Sequence, residues 1–429
     1  MRIAVSTYGS RGDVQPGACL GHELSRRGHD VTMLVPPNYV DFVGGLGLRA
    51  FAVGADSESY WETERGRATL VTRNPLTKLR LAREQVREGF ALFDSGLSGA
   101  VASLVDDGGL DLVVTGPLGQ DRCLALAERH GAALATMRFC AMSENGVMGP
   151  VSTARRLPPA LNRAGWRLAD RVTWAATRGS ENRFRASLGL APARGPLPTR
   201  LARRGVSQVQ AYDATLFPGL DDEWGPARPL VGFLDLPDSV RAAVGDRVDP
   251  ELDTWLSAGE APVFVSFGNA PVGDPRRLLA AVADATASRG VRALVVGLGG
   301  RSGPDAEHRH VFHADRVDHG VVLPRCAAAI HHGGAGTTAA TLRAALPMLI
   351  CAAGADQAYW GARIRALRLG SSTRLARLDT QTLARGLDVV LDDATRRRVV
   401  DVSSRLVPAE EAVAAAVAAM ETAPTAVMR

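Results

Sequence analysis

Three short stretches carry residue types that chemistry can use. The first is His331-His332-Gly333-Gly334-Ala335-Gly336-Thr337-Thr338, which ends an apolar run and opens a helical one. Gly333, Gly334 and Gly336 let a backbone approach a ligand closely. A helix beginning at Thr337 would present free N–H groups and partial positive charge. An anion, most naturally a diphosphate, suits that end, and His331 could add a hydrogen bond to a phosphate oxygen. The same glycines would also serve a plain strand-to-helix turn. The second stretch is Asp356-Gln357, again where a strand gives way to a helix. A carboxylate beside an amide can accept and donate hydrogen bonds to vicinal sugar hydroxyls, with an ordinary N-cap as the competing reading. The third is Gly9-Ser10-Arg11-Gly12-Asp13-Val14-Gln15-Pro16, directly after a strand. It has the glycines of a phosphate loop but not the Lys-Ser/Thr ending. Its Arg, Asp and Pro are more than a plain turn needs.

These stretches need frames to position them. The first half alternates strands (2–7, 30–36, 48–54, 110–116, 132–139) with helices (17–27, 75–106, 120–130). One or two amphipathic helices are expected over 150–188 and a late strand over 207–217. Pro218, Gly225, Pro226, Pro229, Gly232 and Pro237 then mark a linker. The pattern restarts with a strand over 261–268, ending at Gly268-Asn269. Strands over 291–300, 319–324, 326–334 and 347–354 follow, with helices over 275–289, 337–346 and 356–370. Such alternation predicts an α/β fold of two tandem, doubly wound Rossmann-like domains facing across a cleft. The expected division is a domain over 1–222, a linker over 223–250, a domain over 251–410, and a C-terminal helix and tail over 411–429. Ligands bind such sheets at the carboxyl ends of the strands, where all three stretches fall.

Composition narrows the classes. The 429 residues are 46% hydrophobic and 22% charged, ordinary for a soluble two-domain protein. A net charge of +5 does not by itself argue for nucleic acid. Almost all the cations are Arg, and twelve of them fall between Arg155 and Arg204 against only Asp170 and Glu181. A solvated helix explains that run, and an anionic acceptor or weak contact with a membrane surface are the alternatives. Cys19, Cys123, Cys140, Cys326 and Cys351 are odd in number, scattered, and without a C-x-x-C pair. That predicts a reducing, cytoplasmic setting. No signal peptide or membrane span is expected. His308, His310, His313 and His319 cluster, but without cysteines or a tetrahedral pattern they read as a solvated loop rather than a zinc site.

Taken together, His331–Thr338, Asp356-Gln357 about twenty residues later, and the opening GSRGDVQP resemble the signature of GT-B, family-1 glycosyltransferases. More narrowly they resemble the antibiotic and sterol branches, and the resemblance runs over nearly the whole chain. It implies a transferase moving a sugar from a nucleotide diphosphate, such as a dTDP-deoxysugar or a UDP-hexose, to a hydroxyl of an apolar acceptor. Asp13 falls where the branch carries its catalytic base, often a His. A cap or an ion pair with Arg11 is the structural alternative. His331, Gly333, Gly334, Gly336 and Thr337 fall on the diphosphate loop, and Asp356 and Gln357 on the pair holding the donor sugar. Gly268 and Asn269 fall where relatives touch phosphate, many with Ser in place of Asn269. The base would lie near Val317–Leu323, including Val322, with no Trp there to stack on it. Ser10, Arg11, Gly12, Trp61, Phe139 and Met142 are expected on the acceptor side, Trp61, Phe139 and Met142 being equally readable as core. One base and one leaving-group cradle imply inversion. No D-x-D carboxylate pair occurs, so no metal is expected and the nucleotide sugar is the only co-substrate.

Overall fold

A computed structural model of the chain describes residues 1–57, 75–151, 157–244, 249–270, 272–299 and 302–422. It divides into two units. The first comprises Met1–Pro150, Arg156–Val240 and Val407–Arg429, and the second is Arg241–Leu406 with Val151–Arg155.

The first unit is built on six parallel strands: β1 (Arg2–Ser6), β2 (Asp30–Val35), β3 (Arg49–Ala52), β4 (Leu112–Thr115), β5 (Ala133–Arg138) and β6 (Ser207–Gln210). Their order is β3-β2-β1-β4-β5-β6. The second unit holds β7 (Val263–Ser266), β8 (Ala293–Val296), β9 (Gly303–Pro304), β10 (Val311–Ala314), β11 (Ala328–His331), β12 (Met348–Ala352) and β13 (Gly370–Arg374). Their order is β13-β12-β11-β7-β8-β10-β9, all parallel except the short β9. The strands VFVS, ALVV, AAIH and MLICA contain no exposed position. Continuous burial is what a parallel sheet covered on both faces demands. In each sheet the first strand lies in the middle and the order reverses beside it, between β1 and β4 and between β7 and β11. A doubly wound sheet binds ligands at that reversal.

Several elements differ from expectation. The opening helix runs Arg11–Arg26, six residues earlier than the glycines suggested, because Ser10 and Asp13 close a cap around its first turn. Residues 319–324 form not a strand but a helical turn, His319–Val322, followed by a 3-10 turn, Leu323–Arg325. Asp318 starts that turn by accepting from the Gly320 N–H at 2.7 Å. The histidine-rich stretch is not all loop, since it contains β10. The helix expected to reach Gly370 ends at Ala366, and Gly370 opens β13. The late strand stops at Gln210, and Ala214–Leu216 is a 3-10 turn.

The C-terminal helix, Ala409–Glu421, packs on the opening helix and on β6. It buries Ala412, Ala416, Val417 and Met420. Glu421 accepts from Arg27 and pairs with His29, each at 3.0 Å, and the Val407 N–H donates to Asp213 at 2.7 Å. All five cysteines are buried free thiols. Among the described residues, no helix is long and apolar enough to cross a membrane.

Candidate active site

In the second unit three loops leave neighbouring strands at the carboxyl edge. Ser266 of β7 is in register with His331 of β11, and His331 with Ile350 of β12. The turn at Gly268-Asn269, the loop His332–Gly334 and the loop Ala353-Gly354 therefore emerge side by side. Gly334 is the N-cap of the helix Ala335–Arg343, whose first backbone bond is Thr338 N–H to Gly334 at 2.9 Å. The N–H groups of Ala335, Gly336 and Thr337 thus lack helical acceptors. Gly336 is exposed and Thr337 half-buried, so this end is open to a ligand. Gly333 has φ +89°, and a Cβ there would fall 2.5 Å from Ile350 Cγ2 and 3.3 Å from the Gln357 carbonyl. Its bareness lets the glycine loop rest against the start of the next helix.

The two histidines divide their roles. His331, expected to meet phosphate, is fully buried. Its Nδ1 accepts from the Gly333 N–H at 3.1 Å, which places its proton on Nε2. Burial, then the neighbouring His332 and His319, hold it well below the ordinary histidine value, so it is neutral. It positions the loop from inside. His332, a site residue that residue type and spacing alone do not single out, is half-buried and lies against Gly334 and Gly268. A Cβ on Gly334 would come 2.5 Å from its Nε2, and one on Gly268 3.3 Å from its Cε1. Burial and then His319 lower it to about 4, with the Ser266 carbonyl working against them. It is a neutral ring at the meeting point of two loops. The signal for it was the burial of β11: the first residue beyond the last paired one is the first to turn outward.

The Asp356-Gln357 pair opens the helix Ala355–Ala366. Here Gln357, not Asp356, is the cap: its Oε1 accepts from the Ala353 N–H at 2.8 Å and the Gly354 N–H at 3.3 Å. This leaves the Gln357 amide N–H groups to donate elsewhere. Asn269 is exposed in the turn after β7. Val322, expected near the base, is fully buried in the core with Phe264, Leu294 and Phe312, so its side chain offers nothing to a ligand.

The histidine cluster is occupied by structural bonds. Asp305 takes His313 Nε2 at 2.8 Å and His308 Nδ1 at 3.2 Å, while His310 meets the Thr286 hydroxyl and the Ala283 carbonyl, each at 3.1 Å. Burial would raise Asp305, but the hydrogen bonds from His313 and from the His308 and Glu307 backbone hold it at about 2. Among the described residues no group of three or more His, Cys, Asp or Glu is placed to hold a metal.

In the first unit, Asp13 sits in the first turn of the helix that follows β1, at the strand reversal. Its Oδ2 accepts from the Ser10 N–H at 2.9 Å and the Ser10 hydroxyl at 3.1 Å, which is the capping geometry. Among the described residues Oδ1 takes no hydrogen bond. Burial raises the Asp13 carboxyl above the ordinary Asp value, against the lowering effect of the two Ser10 bonds. Gly9, at φ +137°, is what gives the carboxylate room, since a Cβ there would fall 2.3 Å from Oδ2. Arg11 lies 3.9 Å over the Phe42 ring and donates to Gln15 Oε1 at 3.0 Å. Ser10 is exposed and Gly12 half-buried. Of the other acceptor-side expectations, Phe139 is a buried core residue, Met142 is exposed, and Trp61 lies outside the described residues.

Residues 282–424 match the family described as "Erythromycin biosynthesis protein CIII-like, C-terminal domain". The chain is 38% identical, over 99% of both chains, to an uncharacterized glycosyltransferase of Mycobacterium tuberculosis. It is 32% identical to the O-mycaminosyltylonolide 6-deoxyallosyltransferase of Streptomyces fradiae, over 92% of this chain and 90% of that one. In structure it is similar to the glycosyltransferase of kitacinnamycin (TM-score 0.71, 16% identity, 99% of both chains). It is also similar to the glycosyltransferase VinC in complex with dTDP (TM-score 0.63, 20% identity, 98% of this chain and 100% of that one). The chain belongs to the antibiotic-type, family-1 glycosyltransferases and has their GT-B fold.

Proposed function

We propose that this enzyme moves a deoxysugar from a thymidine diphosphate carrier to a hydroxyl of an apolar natural product, with inversion at the anomeric carbon. The carrying observation is Asp13: one carboxylate oxygen is anchored by Ser10, the other is without a described partner, and burial raises its basicity. As the acceptor oxygen bonds to the anomeric carbon and the diphosphate departs, Asp13 takes the hydroxyl proton. The sugar passes through an oxocarbenium-like state. The charge growing on the diphosphate meets the free N–H groups of Ala335–Thr337 and a single N–H from neutral His332. The deoxysugar is favoured by the transfer named for the Streptomyces fradiae relative and by the nucleotide in the VinC complex. A second reading, glucose from a UDP carrier to a sterol, draws on 28% identity to a sterol 3-beta-glucosyltransferase of Arabidopsis thaliana, over 98% of this chain and 65% of that one. Hydrolysis or epimerisation of the donor would instead proceed without any acceptor.

Thermal melting with dTDP, UDP and GDP tests the donor. A ligand at about 100 times its Kd stabilises by roughly 2.7 kcal/mol, and dTDP should give the largest shift. UDP ahead of dTDP favours the sterol-type reading, and no shift with any of the three overturns both. Transfer should need no divalent metal, so excess EDTA should leave the rate unchanged.

A further inference from the structure

We infer that the helix Pro159–Ser187 docks the enzyme on anionic phospholipid bilayers. The helix is 29 residues long, and its middle is unusually bare. Leu161 is 57% exposed, Leu168 62% and Val172 61%. At 3.6 residues per turn these three fall on one face with the exposed Ala164, Ala175 and Gly179. The stripe runs about 27 Å at 1.5 Å per residue. Exposed Leu and Val along such a length of helix is not ordinary surface.

The charges beside the stripe have one sign. Arg167, Arg171 and Arg178 are exposed along one flank. Arg167 pairs with Glu144 at 2.8 Å, while Arg171 and Arg178 have no ion partner among the described residues. The two acids of the helix are turned elsewhere: Asp170 is half-buried on the opposite side, and Glu181 is buried and paired with Arg200 at 2.7 Å. An apolar stripe with a cationic flank and no exposed carboxylate on it matches a surface of acyl chains beneath negative headgroups. The chain's net charge of +5 adds to the attraction.

The experiment is co-sedimentation of the full chain with phosphatidylcholine vesicles, with and without phosphatidylglycerol, at low and high salt. Binding should require phosphatidylglycerol and weaken with salt. Arg171→Gln with Arg178→Gln should lower partitioning roughly 30-fold, at about 1 kcal/mol per cation. Leu168→Glu with Val172→Glu should abolish it, and because all four positions are exposed the melting temperature should hold. Arg396→Gln with Arg397→Gln, an equal charge loss at two exposed positions of the second unit, should leave binding near wild type. No sedimentation with either vesicle overturns the assignment. So does retained binding by the Leu168/Val172 variant, or an equal loss from the Arg396/Arg397 variant.

Discussion

Replacing Asp13 by Asn separates its two jobs. In the wild type, Oδ2 accepts from the Ser10 N–H at 2.9 Å and the Ser10 hydroxyl at 3.1 Å. The amide oxygen of Asn can accept both, so the first turn stays capped. Asp13→Ala loses both bonds, a cost of about 1 kcal/mol, or roughly 2–4 °C of Tm for a domain of this size. Proton acceptance is worth far more, about 10²–10⁴ in rate, equivalent to roughly 3–5 kcal/mol. The stability change therefore does not account for the expected loss of turnover. The pH dependence carries a sign. Burial raises the folded carboxyl above its unfolded value. The protonated form is thus favoured in the fold, and that contribution is lost as pH rises through the raised value. At neutral pH the charge costs stability that Asn does not, so Asp13→Asn should melt no lower than wild type. In activity, kcat/KM should climb with pH through the same value and level off, and this limb should vanish in Asp13→Asn. The assay is release of nucleoside diphosphate with hydroxylated apolar acceptors, alongside dTDP affinity by calorimetry. Wild-type turnover in Asp13→Asn with unchanged dTDP affinity, or a surviving acid limb, would refute Asp13 as the base.

Other residues yield sharper contrasts. Gly333→Ala puts a side chain at φ +89° and a Cβ 2.5 Å from Ile350, so dTDP binding should weaken at least tenfold and Tm should fall, both read by calorimetry. His332→Ala should weaken dTDP binding without lowering Tm, whereas His331→Ala should chiefly lower Tm. Because His332 is held at about 4, wild type and His332→Ala should show the same pH dependence of dTDP affinity around pH 6.5, where an exposed histidine would titrate and only the dTDP phosphate should. Gln357→Ala should lower Tm by removing the cap at Ala353 and Gly354, while Asp356→Asn should change donor KM alone.

The strand-and-helix rhythm was legible because a parallel sheet leaves its strands no polar face. The helix Gln120–His130 could be read to the residue, since Gly119 and Gly131 bracket it. Elements failed where that signal is thin. The edge strand GSSTR is mostly polar, and β10 is hidden among histidines. Val321 and Val322 read as strand, but the Asp318 cap decides for a helical turn. The glycine loops and the Asp-Gln pair could be found from residue type and spacing. The choice between His331 and His332 could not, because it depends on where β11 stops pairing with Ser266. Nor could Gly9, whose importance lies in the space it leaves for a carboxylate four residues on.

The return of the C-terminal helix to the first unit makes that unit discontinuous in sequence. On the ribosome, the opening helix and β6 emerge long before Ala412, Ala416, Val417 and Met420 exist to cover them. The second unit, though later in sequence, is complete first. The same arrangement constrains chimeras. Transplanting Arg241–Leu406, the continuous bulk of the second unit, needs two junctions, at Val240/Arg241 and at Leu406/Val407. A single crossover would carry a foreign closing helix with it, and Glu421 would have to find Arg27 and His29 across halves that never evolved together.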